Sequence, residues 1–269
     1  MFRFYHALVF ACCLFLAVPV HAGLLMSSVS AAVDPYCTTN ASETFCEDMA
    51  STTDCGTTST DEACRTTWTE TLAGTGSIDW TTAIGGTAIC TDMGDNAVRL
   101  IQTSQDAANQ AFARNDLGSS QATTYTQFFF RIESEGLGDL QYHIVAQATN
   151  ATNWSAPAWN FSVFQSNVDG LLYTRFFHGA TTDYGTTALS VGTWYGVRVK
   201  WIANTADTGR QWWVNYSGST WTDEGAATSE NVSVRYIYLS GIGQTQRIVT
   251  MDIDNIAIDT TNMPGDCAR

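Results

Sequence analysis

From about residue 66 to the C-terminus, apolar and polar positions alternate in short runs separated by Gly, Asn, Asp, Ser and Thr, and no run carries helical apolar spacing. That pattern predicts strands. YTQFFFRIE (125–133), LQYHIVAQ (140–147), AWNFSVFQ (158–165) and GLLYTRFFH (170–178) follow one another, and their short links predict a single antiparallel meander. Asp169-Gly170 marks the last reversal, because glycine tolerates the positive φ of a tight hairpin. WYGVRVKW (194–201), RQWWVNY (210–216), VSVRYIYL (232–239) and RIVTMDIDNIAID (247–259) continue the series. Along TWYGVRVKW, period two puts Tyr195, Val197, Val199 and Trp201 on one face, predicted to be core. Trp194, Arg198 and Lys200 fall on the other, predicted to face solvent or ligand. In the last run Ile253 is out of phase with Ile256 and Ile258, which predicts a β-bulge near Asp254-Asn255. Strands with one apolar face bury it by stacking two sheets, so the expected fold is an all-β, two-sheet antiparallel sandwich over residues 66–269.

The N-terminus reads differently. Residues 1–22 combine Arg3, an apolar run from Ala7 to Val20, and Val20-His21-Ala22 in small-residue cleavage spacing, which predicts an export signal and a secreted, extracellular product. Residues 23–65 are rich in Thr, Ser and Cys and poor in apolar side chains. Beyond the signal there are six cysteines, Cys37, Cys46, Cys55, Cys64, Cys90 and Cys267, an even number in an oxidising compartment, so disulfides are expected. The first four recur every nine residues, unlike the C-x-x-C spacing of zinc knuckles.

The formal charge is −14, with 26 Asp and Glu against 12 Lys and Arg, and Lys200 is the one lysine. Such a field disfavours nucleic acid and anionic membrane surfaces, and no run beyond the signal is long and apolar enough to span a bilayer. It also disfavours acidic polysaccharides as bulk partners, unless a local arginine cluster overrides the average.

SVGTWYGVRVKW (190–201) and TADTGRQWWVNYSG (205–218) resemble the G-T-W-Y-x-V-x-V, turn, W-Y-V-N-G hairpin of laminin-G-like jelly rolls, in the concanavalin A-like lectin and glucanase superfamily. VTMDIDNIAID (249–259) is similar to that superfamily's closing strand, and MGDNAVRLI (93–101) to an early one. The resemblance covers roughly residues 66–260 and implies a jelly-roll sandwich with carbohydrate on a sheet face or at loop edges. It implies a lectin-like binding protein, a glycoside hydrolase or a polysaccharide lyase, and fold alone does not choose among them.

The candidate chemistry narrows the choice. No E-x-D-x-E strand is present, and Glu133 and Glu135 sit at a strand end beside Gly136. The resemblance to alginate-lyase-type strands implies one catalytic set, in which Gln141 and His143 of QYH act with Arg131 and Arg175. A base with amide and cationic neighbours suits abstraction of the proton next to a uronate carboxylate. Binding alone requires less: an aromatic face for a sugar ring and a few polar groups. Trp159, Trp194 and Tyr173, with Arg131, Gln141, His143 and Arg175, are the expected ligand contacts. Asp95, Asp252 and Asp254 are oxygen donors for a structural calcium between the first and last strands. The preferred expectation is carbohydrate or glycoconjugate binding without catalysis; the alternatives are a uronate-cleaving polysaccharide lyase and an adhesive or structural surface protein.

Overall fold

The computed structural model describes residues 45–47, 68–73, 76–83, 96–102, 110–137, 141–152, 157–179, 181–203, 210–216, 220–225, 231–239 and 249–265. Every described residue belongs to one compact unit. The described residues form two antiparallel sheets and contain no helix.

The described residues form fifteen strands: β1 (Phe45–Glu47), β2 (Trp68–Ala73), β3 (Ser77–Ala83), β4 (Asn96–Gln102), β5 (Gln110–Gln121), β6 (Thr123–Glu135), β7 (Tyr142–Thr149), β8 (Pro157–Gln165), β9 (Leu172–His178), β10 (Thr181–Tyr184), β11 (Trp194–Ile202), β12 (Arg210–Asn215), β13 (Trp221–Gly225), β14 (Val234–Leu239) and β15 (Val249–Asp259). One sheet runs β13-β12-β11-β6-β15-β4-β3, with β1 also on β15; the other runs β10-β9-β8-β7-β14-β5-β2. This is the expected two-sheet jelly-roll sandwich.

The predicted meander is corrected at its first member. β7, β8, β9 and β10 are sequential neighbours, but β6 lies in the other sheet between β11 and β15. Short links do not compel pairing, since β6 instead forms long ladders with two strands distant in sequence. The sheet also reaches upstream of residue 66, because Phe45 of β1 pairs with Ile258 and packs edge-on against Trp68.

The core lies between the sheets. Phe128 and Phe130 of β6 meet Phe161 of β8 at 5.7 and 5.4 Å between ring centres, and Trp212 of β12 stacks on Phe176 of β9 at 5.4 Å. Tyr195, Val197, Val199 and Trp201 are all buried in this layer, as their alternation predicts. Each buried side chain of this size contributes about 1.5–3 kcal/mol. The bulge forms where phase required it: the β15–β6 register shifts between Asp254 and Ala257, with Asn255 at φ +49°. Gly170 takes φ +71° in the β8–β9 hairpin.

The β13 edge of one sheet is tied to the β10 side of the other. Tyr216 Oη donates to Glu224 at 2.7 Å, and Glu224 accepts the backbone N–H of Thr186 at 3.1 Å. Tyr216 Oη also lies 3.2 Å from Thr174 Oγ1, and burial, the largest influence, pushes its phenol up from the ordinary tyrosine range.

Candidate functional site on the outward face of the seven-stranded sheet

Directly opposed residues of an antiparallel ladder share a face, so register assigns the side chains. In the seven-stranded sheet Trp159, Phe161, Val163 and Phe176 point inward. Their neighbours in sequence must therefore point outward, and they form three rows. Tyr173 pairs with Phe164 and Phe164 with Tyr142; Tyr184 pairs with Arg175, Arg175 with Ser162 and Ser162 with Ile144. The third row spans six strands: Thr182, Phe177, Asn160, Gln147, Tyr238 and Arg114.

The two ends of this face differ. Toward β7–β10, Tyr142, Phe164, Tyr173, Arg175 and Phe177 are partly exposed and Tyr184 is 51% exposed. Arg175 lies over the Tyr142 ring at 4.1 Å and near that of Phe177 at 5.6 Å, and Phe164 meets Tyr184 at 4.9 Å. Tyr173 donates its hydroxyl to Asp169 at 2.7 Å; that bond is the largest influence lowering the carboxyl of Asp169 and raising the phenol of Tyr173. Toward β14 Asn160, Gln147 and Tyr238 are buried: Ser162 Oγ donates to Asn160 Oδ1 at 2.9 Å, and Tyr238 Oη and the partly exposed Arg114 Nη1 both donate to the carbonyl of Thr152. The accessible end is thus a cluster of rings around one guanidinium.

The lyase set does not converge. Register with Val163 turns His143 into the core, where it is buried at 2% exposure, and desolvation pushes its imidazole down to about 4. Gln141 precedes β7 and its carbonyl accepts the N–H of Gln165. Arg175 points out of the same sheet, and Arg131 belongs to the opposite sheet, on the outward face of β6. Gln141 and His143 do share a parity, but it is the parity of the core.

Two expected sugar platforms are likewise corrected. Trp159 is wholly buried against Phe176, and Trp194, though outward on its own sheet, is 1% exposed and lies against Arg131 at 5.1 Å. Alternation assigns a side to each ring but does not reveal what covers it. The residues missed were Tyr142, Phe164, Phe177 and Tyr184; once Phe161 and Val163 are taken as core, alternation along β8 alone turns Phe164 outward.

Of the three expected calcium donors, Asp252 and Asp254 lie within the described residues. Both oxygens of Asp252 are taken by guanidinium groups, Arg99 at 2.7 and 2.9 Å and Arg131 at 2.6 Å. Asp254 Oδ1 accepts the N–H of Asn255 at 2.8 Å, and Asp95 lies outside the described residues. Among the described residues no three His, Cys, Asp or Glu side chains are grouped to hold a metal ion. The side chains of all six cysteines also lie outside that set.

No family model matches the chain, and no curated protein does. Several solved structures are similar. A cellulose-induced protein, Cip1, aligns over 75% of this chain and 94% of its own at 11% identity and TM-score 0.50. A carbohydrate esterase from Shiga toxin-encoding bacteriophage phi24B aligns over 80% and 98% at 14% identity and TM-score 0.48. An alginate lyase from Alteromonas sp. 272 aligns over 61% and 87% at 11% identity and TM-score 0.41. These neighbours are jelly-roll sandwiches of the concanavalin A-like type, and the likeness is one of fold.

Proposed function

We propose that the protein is a secreted, lectin-like β-sandwich that binds a polysaccharide or glycoconjugate without catalysis, on the outward face of β7–β10. The observation that carries this reading is the gathering of Tyr142, Phe164, Tyr173, Phe177 and Tyr184 around Arg175 on one accessible sheet face. Rings of this kind offer large rigid contact area to the C–H face of a sugar, and nearby polar groups orient it. The name of one similar structure, a cellulose-induced protein, favours a carbohydrate ligand. The laminin-G-like grouping is our reading of the β11–β12 hairpin motif. A lyase reading would need a base beside the sugar, and His143 is turned toward the core.

Glycan-array screening of the processed protein, followed by calorimetry on the best ligand, tests the proposal. Tyr142→Ala and Phe164→Ala are each expected to weaken binding about tenfold or more, a loss of about 1.4 kcal/mol, with unchanged far-ultraviolet dichroism. Absence of glycan binding, or binding indifferent to both substitutions, overturns it.

A further inference from the structure

Arg175 differs in its partners from the other arginines of the described strands. Arg99 and Arg131 meet Asp252 and Glu133, and Arg235 meets Asp116. Arg198 donates to Gln127 Oε1 at 2.6 Å and to the carbonyl of Pro264 at 3.1 Å. Arg210 is buried over the ring of Trp201. Arg114 donates to the carbonyl of Thr152 at the β14–β5 end of the face. Among the described residues Arg175 reaches neither carboxylate nor carbonyl; its polar contact is a long 3.5 Å approach of Nη1 to Ser162 Oγ. This is so in a chain with more than twice as many acidic as basic side chains.

The Arg175 Cζ lies over the Tyr142 ring at 4.1 Å and over the Phe177 ring at 5.6 Å. Cation–π contact holds the charge over an aromatic face, and the five N–H donors of a guanidinium are a separate means of recognition. The rings hold the cation beside the sugar platform, and among the described residues its donor fork makes the one long contact to Ser162 Oγ. The neighbouring carboxylates among the described residues have other partners. Asp169 accepts from Tyr173 and from the N–H of Leu171, and Asp183 engages His178 at 3.0 Å. The planar partner that matches a guanidinium fork is a carboxylate, taken up bidentately.

We propose that the glycan is a uronic-acid polysaccharide, whose carboxylate is received by Arg175 while its sugar ring rests on the surrounding aromatic side chains. This inference rests on the carbohydrate-binding reading of the same face. The overall negative charge opposes a polyanion at long range, but salt screens that repulsion beyond about 8 Å at physiological ionic strength, leaving contact chemistry to decide.

The test is calorimetry of the full protein with tetramers of galacturonate, mannuronate and guluronate, each against its carboxyl-reduced counterpart. At least one acidic tetramer is expected to bind tenfold or more tightly than its reduced form, and more weakly in 500 mM than in 50 mM sodium chloride. Arg175→Gln should abolish the preference, and Arg175→Lys should restore only part, since an ammonium has charge without the fork. Equal binding of acidic and reduced tetramers, or a preference that survives Arg175→Gln, overturns the inference and leaves glycan binding standing. If neither form of any tetramer binds, and the glycan array is also blank, both readings fall together.

Discussion

Arg131 and Asp252 face each other across the β6–β15 ladder, and Arg131 Nη2 donates to Asp252 Oδ2 at 2.6 Å with both side chains buried. The pair belongs to one cross-strand row on the outward face of the eight-stranded sheet. Asp79 opposes Arg99, Arg99 opposes Asp252, Asp252 opposes Arg131, and Arg131 opposes Trp194. Trp194 covers the guanidinium and Asp252 neutralises it, which is how two charges persist without solvent. Asp252→Ala should cost up to about 3 kcal/mol, because it leaves the buried Arg131 with only the partly exposed Glu133 as its ionic partner. Arg99→Ala, on a partly exposed partner, should cost about 1 kcal/mol or less. Urea unfolding of both variants checks the ranking; an Asp252→Ala protein as stable as wild type would refute it.

Gly185 is required by space. A Cβ there would stand 2.0 Å from Thr174 Oγ1 and 2.7 Å from Tyr216 Oη, the hydroxyls of the contact joining the β10 and β13 edges. Threonine is stiff about χ1, so it yields poorly. Gly185→Ala should destabilise by about 1–3 kcal/mol. Thr174→Ala in the same chain should recover part of that loss, as read from denaturation midpoints.

His143 predicts a pH dependence of stability. Its folded pKa is lowered to about 4 by burial, against an ordinary 6.5. Between these values the unfolded chain binds the proton and the folded chain does not, so stability rises with pH from about 4 and is full above about 6.5. The loss across that window is on the order of 3 kcal/mol. His143→Gln should flatten this part of the wild-type profile when urea midpoints are compared at pH 7 and pH 4.5. Identical slopes in the two proteins would exclude the assignment.

Trp159 separates core from site. It is wholly buried between Phe176 and the rest of the core, so Trp159→Ala should cost about 3–5 kcal/mol of stability. Trp159→Phe, which keeps a ring there, should leave glycan affinity within about twofold of wild type, unlike Tyr142→Ala. Selective loss of binding in a stable Trp159→Phe protein would move the site into the sandwich.

What could be read from the linear chain was local and periodic. Alternation alone sorted TWYGVRVKW into an inward and an outward set, because successive side chains of a strand must point to opposite faces. The broken phase of Ile253 located the bulge at Asp254-Asn255, and Asp169-Gly170 located a hairpin, since both follow from backbone sterics within a few residues. Tyr173 and Arg175 fall on the outward face of β9 by the same alternation.

Which sheet each strand joins was decided by ladders between residues far apart in sequence, and nothing inside YTQFFFRIE announces that β6 pairs with β11 and β15 rather than with β7. That one choice separates Arg131 from Arg175, and register with Val163 turns His143 into the core. Cover over an outward face is equally non-local: Trp194 and Trp159 are both large rings on strands, yet neither is open to solvent, while Tyr142 and Phe164 are. The chain by itself determined the strands and their two faces, because period two is a property of the backbone. Tertiary structure alone decided which faces meet, because that depends on the pairing energy of whole strands and on what remains to cover them.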